Sequence, residues 1–164
     1  MIFVGIVSNN KKFENIKKII YKNMNKNEIN LININSNSID NLKNIKFEII
    51  VLLELSKQIE DENEKINSLC KQTKYLLVDS DKKFKENIFK EIKSNIITFG
   101  GNHYSTVTFS SVTDESILIS VQRNFTNLNG NITEVGEYYI SIEKYNRTSI
   151  YEILIDFIIS KIYN

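Results

Sequence analysis

One cysteine, Cys70, stands among 164 residues, which excludes an intramolecular disulfide and any multi-cysteine metal site and fits a reducing compartment. An excess of charge is also missing. With 21 Lys and Arg against 20 Asp and Glu, the chain is not built to neutralise the many phosphates of a nucleic acid. No apolar run reaches the roughly 20 residues that span a bilayer. The longest, 150–162, is interrupted by Glu152, Asp156 and Lys161. Met1 leads directly into the strand-like run Ile2–Val7, with no basic segment before it and no small-residue cleavage site, so a cytoplasmic protein is expected, with neither membrane nor nucleic acid as partner. Proline, tryptophan and alanine are absent altogether, while 29 Ile, 23 Asn and 19 Lys fill 71 of the 164 positions. That composition reads as the coding bias of an AT-rich bacterium, and it makes any single Asn or Lys a weak functional signal. The length allows one core and not two full-sized ones.

What is present falls into two patterns. From residue 1 to 94 strands and helices alternate. Ile2–Val7 is continuously apolar, as in a strand covered on both faces. Residues 11–24 switch to helical spacing, with Phe13, Ile16, Ile19, Ile20 and Met24 on one side and lysines on the other. A strand over 29–34, a short segment around Ile39 and Leu42, and a central strand over 47–53 follow. Ser56 is read as the cap of a helix over 57–72 with an acidic start and a basic end. A strand over 75–78 and a helix capped by Asp81, with Phe84, Ile88, Phe89 and Ile92 inward, complete this half. After Ser94 strands succeed one another over 96–99, 105–112, 116–123 and 137–142, with short gaps and an Asn129-Gly130 turn signal, so residues 95–145 are expected to be antiparallel. A helix over 149–162 closes the chain, with Ser149 and Glu152 at capping-box spacing. The expected architecture is α/β: a three-layer sheet, parallel in its N-terminal half, then an antiparallel hairpin region and a C-terminal helix.

In such a sheet a ligand sits beyond the carboxyl ends of the strands. That nominates Ser8-Asn9-Asn10, Asn35-Ser36, Glu54-Leu55-Ser56 and Asp79-Ser80-Asp81. Read with the second half, these loops resemble the central ATP-binding domain of the Mur ligase family, whose members join amino acids to cell-wall precursors and whose relatives include folylpolyglutamate synthase. Leu77-Val78-Asp79-Ser80-Asp81 is similar to the family's strand ending in Asn-Ala-Asp-Asp-Pro, and Ile97-Thr98-Phe99-Gly100 to the strand after it. Asn146-Arg147-Thr148-Ser149-Ile150-Tyr151-Glu152 is similar to the Gly-Arg-His-Asn run opening the last helix. The order and spacing agree over residues 75–164, and the resemblance implies a single domain over 1–164.

The resemblance implies a nucleotide site at Ser8, Asn9, Asn10, Lys12 and Arg147, and a metal site at Glu54, Asp79 and Asp81. The first half departs from the family in its chemistry. Where the family has a Gly-Thr-Asn-Gly-Lys-Thr phosphate loop, this chain has Ser8-Asn9-Asn10-Lys11-Lys12-Phe13. Both glycines are missing, and with them the backbone freedom to turn N–H groups onto phosphates. Phe13 replaces the hydroxyl that holds Mg²⁺. Glu54 follows the loop by only about 40 residues, a modified lysine and an Asp-His segment have no counterpart, and Glu152 replaces an adenine-contacting Asn. The expectation is a non-catalytic, Mur-ligase-like module with a degenerate phosphate loop that binds a small ligand or a protein partner and needs no cofactor. Two alternatives stand beside it. One is an ATP-dependent amide ligase of cell-wall precursor or folylpolyglutamate type, using ATP and Mg²⁺. The other is a structural subunit that forms a homo-oligomer through its apolar C-terminal helix. His103 reads as a surface residue in a turn, Cys70 as a core thiol, and the lysines of 11–26 as a solvated helix face.

Overall fold

The computed structural model describes residues 1–55, 60–84, 89, 91–145 and 148–164. The chain divides into two compact units, one formed by residues 1–78 and 82–96, the other by residues 79–81 and 97–164. The fold class is α/β, with a parallel N-terminal half, antiparallel strands after it and a closing helix.

In the first unit β1 (Ile2–Val7), α1 (Asn10–Asn23), β2 (Ile29–Ile34), β3 (Ile49–Leu52), α2 (Glu60–Gln72) and β4 (Tyr75–Asp79) follow in order, with a 3₁₀ turn at Ile39–Asn41. The strands are parallel in the order β2-β1-β3-β4, with Val4 opposite both Leu31 and Ile49, and Val51 opposite Leu77. Because side chains alternate across a strand, Val7, Ile34, Ile50, Leu52, Leu76 and Val78 share one face. They pack there with Ile66, Leu69 and Cys70 of α2 and with Ile39 and Leu42. The chain steps from β1 to β2 in one direction and from β3 to β4 in the other, so right-handed crossovers put α1 and α2 on opposite faces, in Rossmann-like fashion. Helix α1 buries Phe13, Ile16, Ile19 and Ile20, as its spacing predicts.

Two close approaches shape this sheet. A Cβ on Gly5 would lie 2.5 Å from Ile34 Cδ1 and 3.1 Å from the ring of Phe47, so any side chain there must displace its neighbours. Phe47 lies outside the shortened third strand, and its ring is still fully buried in the core. At the outer strand β2, the Leu31 N–H donates to the Tyr21 hydroxyl of α1 at 3.2 Å.

The helix expected after Asp81 does not reach the ends read for it: 82–84 and 91–94 are non-helical, Glu91 has φ 64°, and Phe89 lies in a 3₁₀ turn. Ile88 lies outside the described residues, as does the Ser56 cap. Phe84, Phe89 and Ile92 nonetheless pack inward against the core, and Glu91 pairs with Lys71 of α2 at 2.7 Å. Ser94 Oγ fixes the end of this segment by donating to the carbonyls of Cys70 and Thr73.

The second unit contains β5 (Asn95–Phe99, from Ile97 onward), β6 (Val107–Val112), β7 (Ser116–Val121), β8 (Phe125–Thr126), β9 (Ile132–Thr133), β10 (Gly136–Ser141) and α3 (Ile150–Tyr163). Strands β6, β7 and β10 are antiparallel in the order β6-β7-β10, and the β6-β7 register shifts between Phe109 and Ser111. The gap at Gly100-Gly101-Asn102 is not a hairpin, because β5 and β6 run parallel where Phe99 faces Val107. A crosswise pair of threonines holds that junction: the Thr106 N–H donates to Thr98 Oγ1 at 2.8 Å. The Asn129-Gly130 signal closes the small β8-β9 ribbon, with Gly130 at φ 85° and Asn127 Oδ1 accepting from the N–H groups of Asn129 and Asn131.

Helix α3 starts as expected: Ser149 Oγ accepts from the Glu152 N–H, and the Glu152 carboxylate accepts from the Ser149 N–H. Ile153, Leu154, Ile155, Phe157, Ile158, Ile159 and Ile162 are buried within the chain itself, so the apolar surface of this helix is already covered. Buried Asp156 accepts from the Tyr145 hydroxyl at 2.8 Å, and the Tyr138 ring of β10 lies tilted at 58° against Phe157 with centroids 5.3 Å apart. Among the described residues no helix is long and apolar enough to cross a membrane.

Candidate functional site

The reversal of strand order falls between β1 and β3, and the crevice outside their carboxyl ends is where a sheet of this kind holds ligands. Two candidates from the sequence, Lys12 and Glu54, meet there. The backbone N–H groups of Leu53 and Glu54 both donate to the Val7 carbonyl at 3.2 Å, which presents the Glu54 side chain to the start of α1. Lys12 Nζ lies 2.5 Å from Glu54 Oε1. The Asn9 N–H and Asn9 Nδ2 also donate to the Glu54 carboxylate, at 3.3 Å and 3.2 Å. Asn9 is at the same time the N-cap of α1, its Oδ1 accepting from the Lys12 N–H at 3.0 Å. One carboxylate thus gathers an ammonium, a side-chain amide and a backbone amide at a helix start, the position that favours an anion.

The connection from β1 to α1 consists of Ser8 and Asn9 alone. Asn9 has φ −68° and ψ 160°, and no residue from 8 to 12 has positive φ. A phosphate-cradling nest alternates right- and left-handed conformations to turn successive N–H groups inward, and this turn contains no such alternation. Asn10 points elsewhere: its Oδ1 accepts from Asn33 Nδ2 at 2.8 Å and Asn35 Nδ2 at 3.3 Å, tying the helix start to the end of β2. Ser8 is buried, with its hydroxyl on the Asn9 carbonyl.

A second cation at this crevice was not among the sequence candidates. Lys82 Nζ donates to the Leu53 carbonyl at 2.5 Å, and its charge acts on Glu54. Its position directly after the fourth nominated loop was the available signal. Burial pushes the Glu54 carboxyl up, but the hydrogen bond and charge of Lys12, with the Asn9 N–H and the Lys82 charge, outweigh it and hold the group below its ordinary value. Lys12 and Glu54 side chains keep 43% and 37% of their surface exposed, so water screens the pair.

In the second unit Asp79, Ser80 and Asp81 meet the Gly100-Gly101 turn and α3. Asp79 ends β4, is buried, and accepts from the Asp81 N–H at 3.1 Å. Asp81 caps no α-helix among the described residues; its Oδ2 accepts instead from the Gly101 N–H at 2.5 Å and from the Tyr151 hydroxyl at 2.6 Å. A Cβ on Gly100, at φ 153°, would fall 2.5 Å from that oxygen, so glycine is required for the approach. The hydrogen bond to Asp81 raises the Tyr151 hydroxyl to about 12, with burial and the charges of Asp81 and Asp79 adding to the shift. Tyr151 is therefore a proton donor in a structural tie rather than a nucleophile. Ser80 Oγ and Ser105 Oγ are 2.6 Å apart beside it.

Arg147 lies outside the described residues. The Glu152 side chain is occupied in the helix cap. His103 is exposed, with its ring 4.0 Å from that of Tyr104, and Cys70 is fully buried, its thiol pushed up to about 12 by burial. Among the described residues no group of three or more His, Cys, Asp or Glu is placed to hold a metal ion. No protein-family model matches the chain, and no curated protein matches it.

Proposed function

We propose that this chain is a cytoplasmic, non-catalytic relative of the Mur ligase central domain that serves as a ligand- or partner-binding module. The observation that supports the reading is the Glu54 carboxylate at the start of α1, in contact with Lys12 and Asn9. In a nucleotide-binding domain those groups face a phosphate. Here an internal anion satisfies them, beside a two-residue turn that lacks the glycines needed to wrap a triphosphate. Isothermal titration of the full chain with Mg·ATP and Mg·ADP tests this. No heat of binding is expected up to about 1 mM nucleotide, where even a binding free energy of about −4 kcal/mol becomes detectable. Micromolar binding overturns the reading.

The same contact is what favours a second reading, an ATP-dependent amide ligase. That mechanism needs a cation for phosphate and a carboxylate for Mg²⁺ close together, and Lys12 and Glu54 supply both types within one hydrogen bond. ADP release in the presence of Mg·ATP and amino acids, abolished by Lys12→Met, is the result that selects it.

A further inference from the structure

Helix α1 carries on its outer side an open groove of about 400 Å³ lined by Glu14, Lys17, Lys18, Tyr21, Lys22 and Lys26. Four ammonium groups and one carboxylate leave it with a formal charge of +3. A row of lysines on an exposed helix is ordinarily a solvated face, but three features here go beyond that. Lys17 Nζ lies 5.5 Å from the centroid of Phe13 and Lys26 Nζ 5.6 Å from that of Tyr21, so aromatic rings stand beside two of the charges, and Lys17 also pairs with Glu14 at 3.8 Å. The Tyr21 ring is itself fixed, because its hydroxyl accepts from the Leu31 N–H. The surface there is a shallow, open groove with the tyrosine ring in its lining.

We infer that this groove binds an acidic segment of a partner protein. The geometry selects that occupant. Lys18 and Lys22 follow at one helical turn, about 6 Å along the axis, and Lys26 comes four residues later, beyond the helix end. Alternate side chains of an extended peptide are spaced by about 6.6 Å, so carboxylates on every second residue match the row of ammonium groups. A single phosphate needs donors that converge on one point, and a row of point charges does not converge. The groove contains no arginine fork of the kind that recognises phosphate in two-point fashion.

This inference rests on the partner-binding half of the function proposed above and names the chemistry of the partner. It is tested by fluorescence anisotropy, titrating the full chain into a labelled peptide of about twelve residues with Glu at alternate positions. Saturable binding is expected, weakening as salt rises from about 50 to about 200 mM. Affinity should fall about tenfold in Lys18→Glu and further in Lys18→Glu/Lys26→Glu, while a peptide with Gln in place of Glu does not bind. Circular dichroism melts check the fold of the variants, and Lys18→Gln/Lys26→Gln serves if charge reversal disturbs it. The inference is overturned by absence of saturable binding, by equal affinity in the double variant, or by equally tight binding of an anionic vesicle or of a single-stranded oligonucleotide of equal charge. Self-association in light scattering that the double variant abolishes also overturns it, since the groove then takes a second copy. Mg·ATP binding with peptide binding intact overturns the earlier reading alone, and loss of peptide binding leaves the nucleotide result standing.

Discussion

Replacing Gly5 by alanine tests how tightly the sheet is closed under its ligand crevice. The new methyl group would meet Ile34 Cδ1 at 2.5 Å and the Phe47 ring at 3.1 Å, in a region where Ile34 and Phe47 are fully buried. Overpacking of this kind costs about 1–3 kcal/mol. Part of it is offset, because alanine loses less backbone entropy in a strand, by about 0.5–1 kcal/mol. A net loss of about 1–2 kcal/mol is expected. Ile34→Val deletes the offending Cδ1 and costs about 0.5–1.5 kcal/mol on its own. The two changes should not add, since the second removes the atom that the first collides with. The double variant is expected about 1 kcal/mol more stable than the sum of the single losses. Urea unfolding followed by circular dichroism measures all four corners of the cycle, provided the denaturant slope is unchanged. Additivity within about 0.4 kcal/mol refutes the reasoning, because it means the sheet relaxes away from Gly5 without pressing on Ile34.

Glu54→Gln keeps the shape of the crevice and removes its charge. Given the exposure of the pair, it should cost about 0.2–1 kcal/mol near neutral pH. The Glu54 carboxyl is held below its ordinary value, so its contribution is present above that value and lost as acid protonates the folded state. The gap between wild type and variant in thermal melts should therefore narrow as pH falls below the ordinary carboxylate range, and a gap of constant size refutes the assignment. Tyr151 sits at about 12 against an ordinary 10.0, so the folded chain holds that proton longer than the unfolded chain does. Its contribution is complete below pH 10 and is lost as pH rises toward about 12, and ultraviolet titration of Asp81→Asn should show one tyrosine ionising earlier than in wild type. Ser149→Ala removes the acceptor that caps α3 and should cost about 1 kcal/mol in urea unfolding, with a loss under about 0.3 kcal/mol counting against the box. Cys70 should stay unreactive toward a thiol-specific chromogenic disulfide at pH near 8 until urea unfolds the chain, because the thiol is buried and pushed up to about 12.

The parallel half was legible because its central strands β3 and β4 are buried throughout and β1 is an unbroken apolar run, while β2 alternates. Ile29–Ile34 and the capping box at Ser149 and Glu152 coincide with what periodicity and capping chemistry predict. Periodicity placed the inward side chains correctly but not the ends of the helix: 82–84 and 91–94 are non-helical, and Glu91 has φ 64°. Phe84, Phe89 and Ile92 have helical spacing and do face the core, yet the carboxylate read as their cap is held by Gly101 and Tyr151, residues distant in sequence. The β5-β6 junction misled for a similar reason. A Gly-Gly-Asn signal marks a reversal but does not say whether the returning strand pairs beside or against its predecessor, and the threonine pair that decides it is a long-range contact. At the crevice, the approach of Lys12 and Glu54 could be read from strand order, while for Lys82 only its place after a nominated loop was legible and not its partner, a main-chain carbonyl.

The contact between the Tyr21 hydroxyl and the Leu31 amide bears on how this molecule behaves in a crowded solution. A strand at the margin of a sheet is a template, and molecules that leave such margins bare tend to stack into fibres. One phenolic oxygen occupies an amide that an incoming chain would have to use, so growth from that flank must first dislodge a ring wedged between lysines. A residue that shapes the wall of a groove thereby also acts as a stopper against polymerisation.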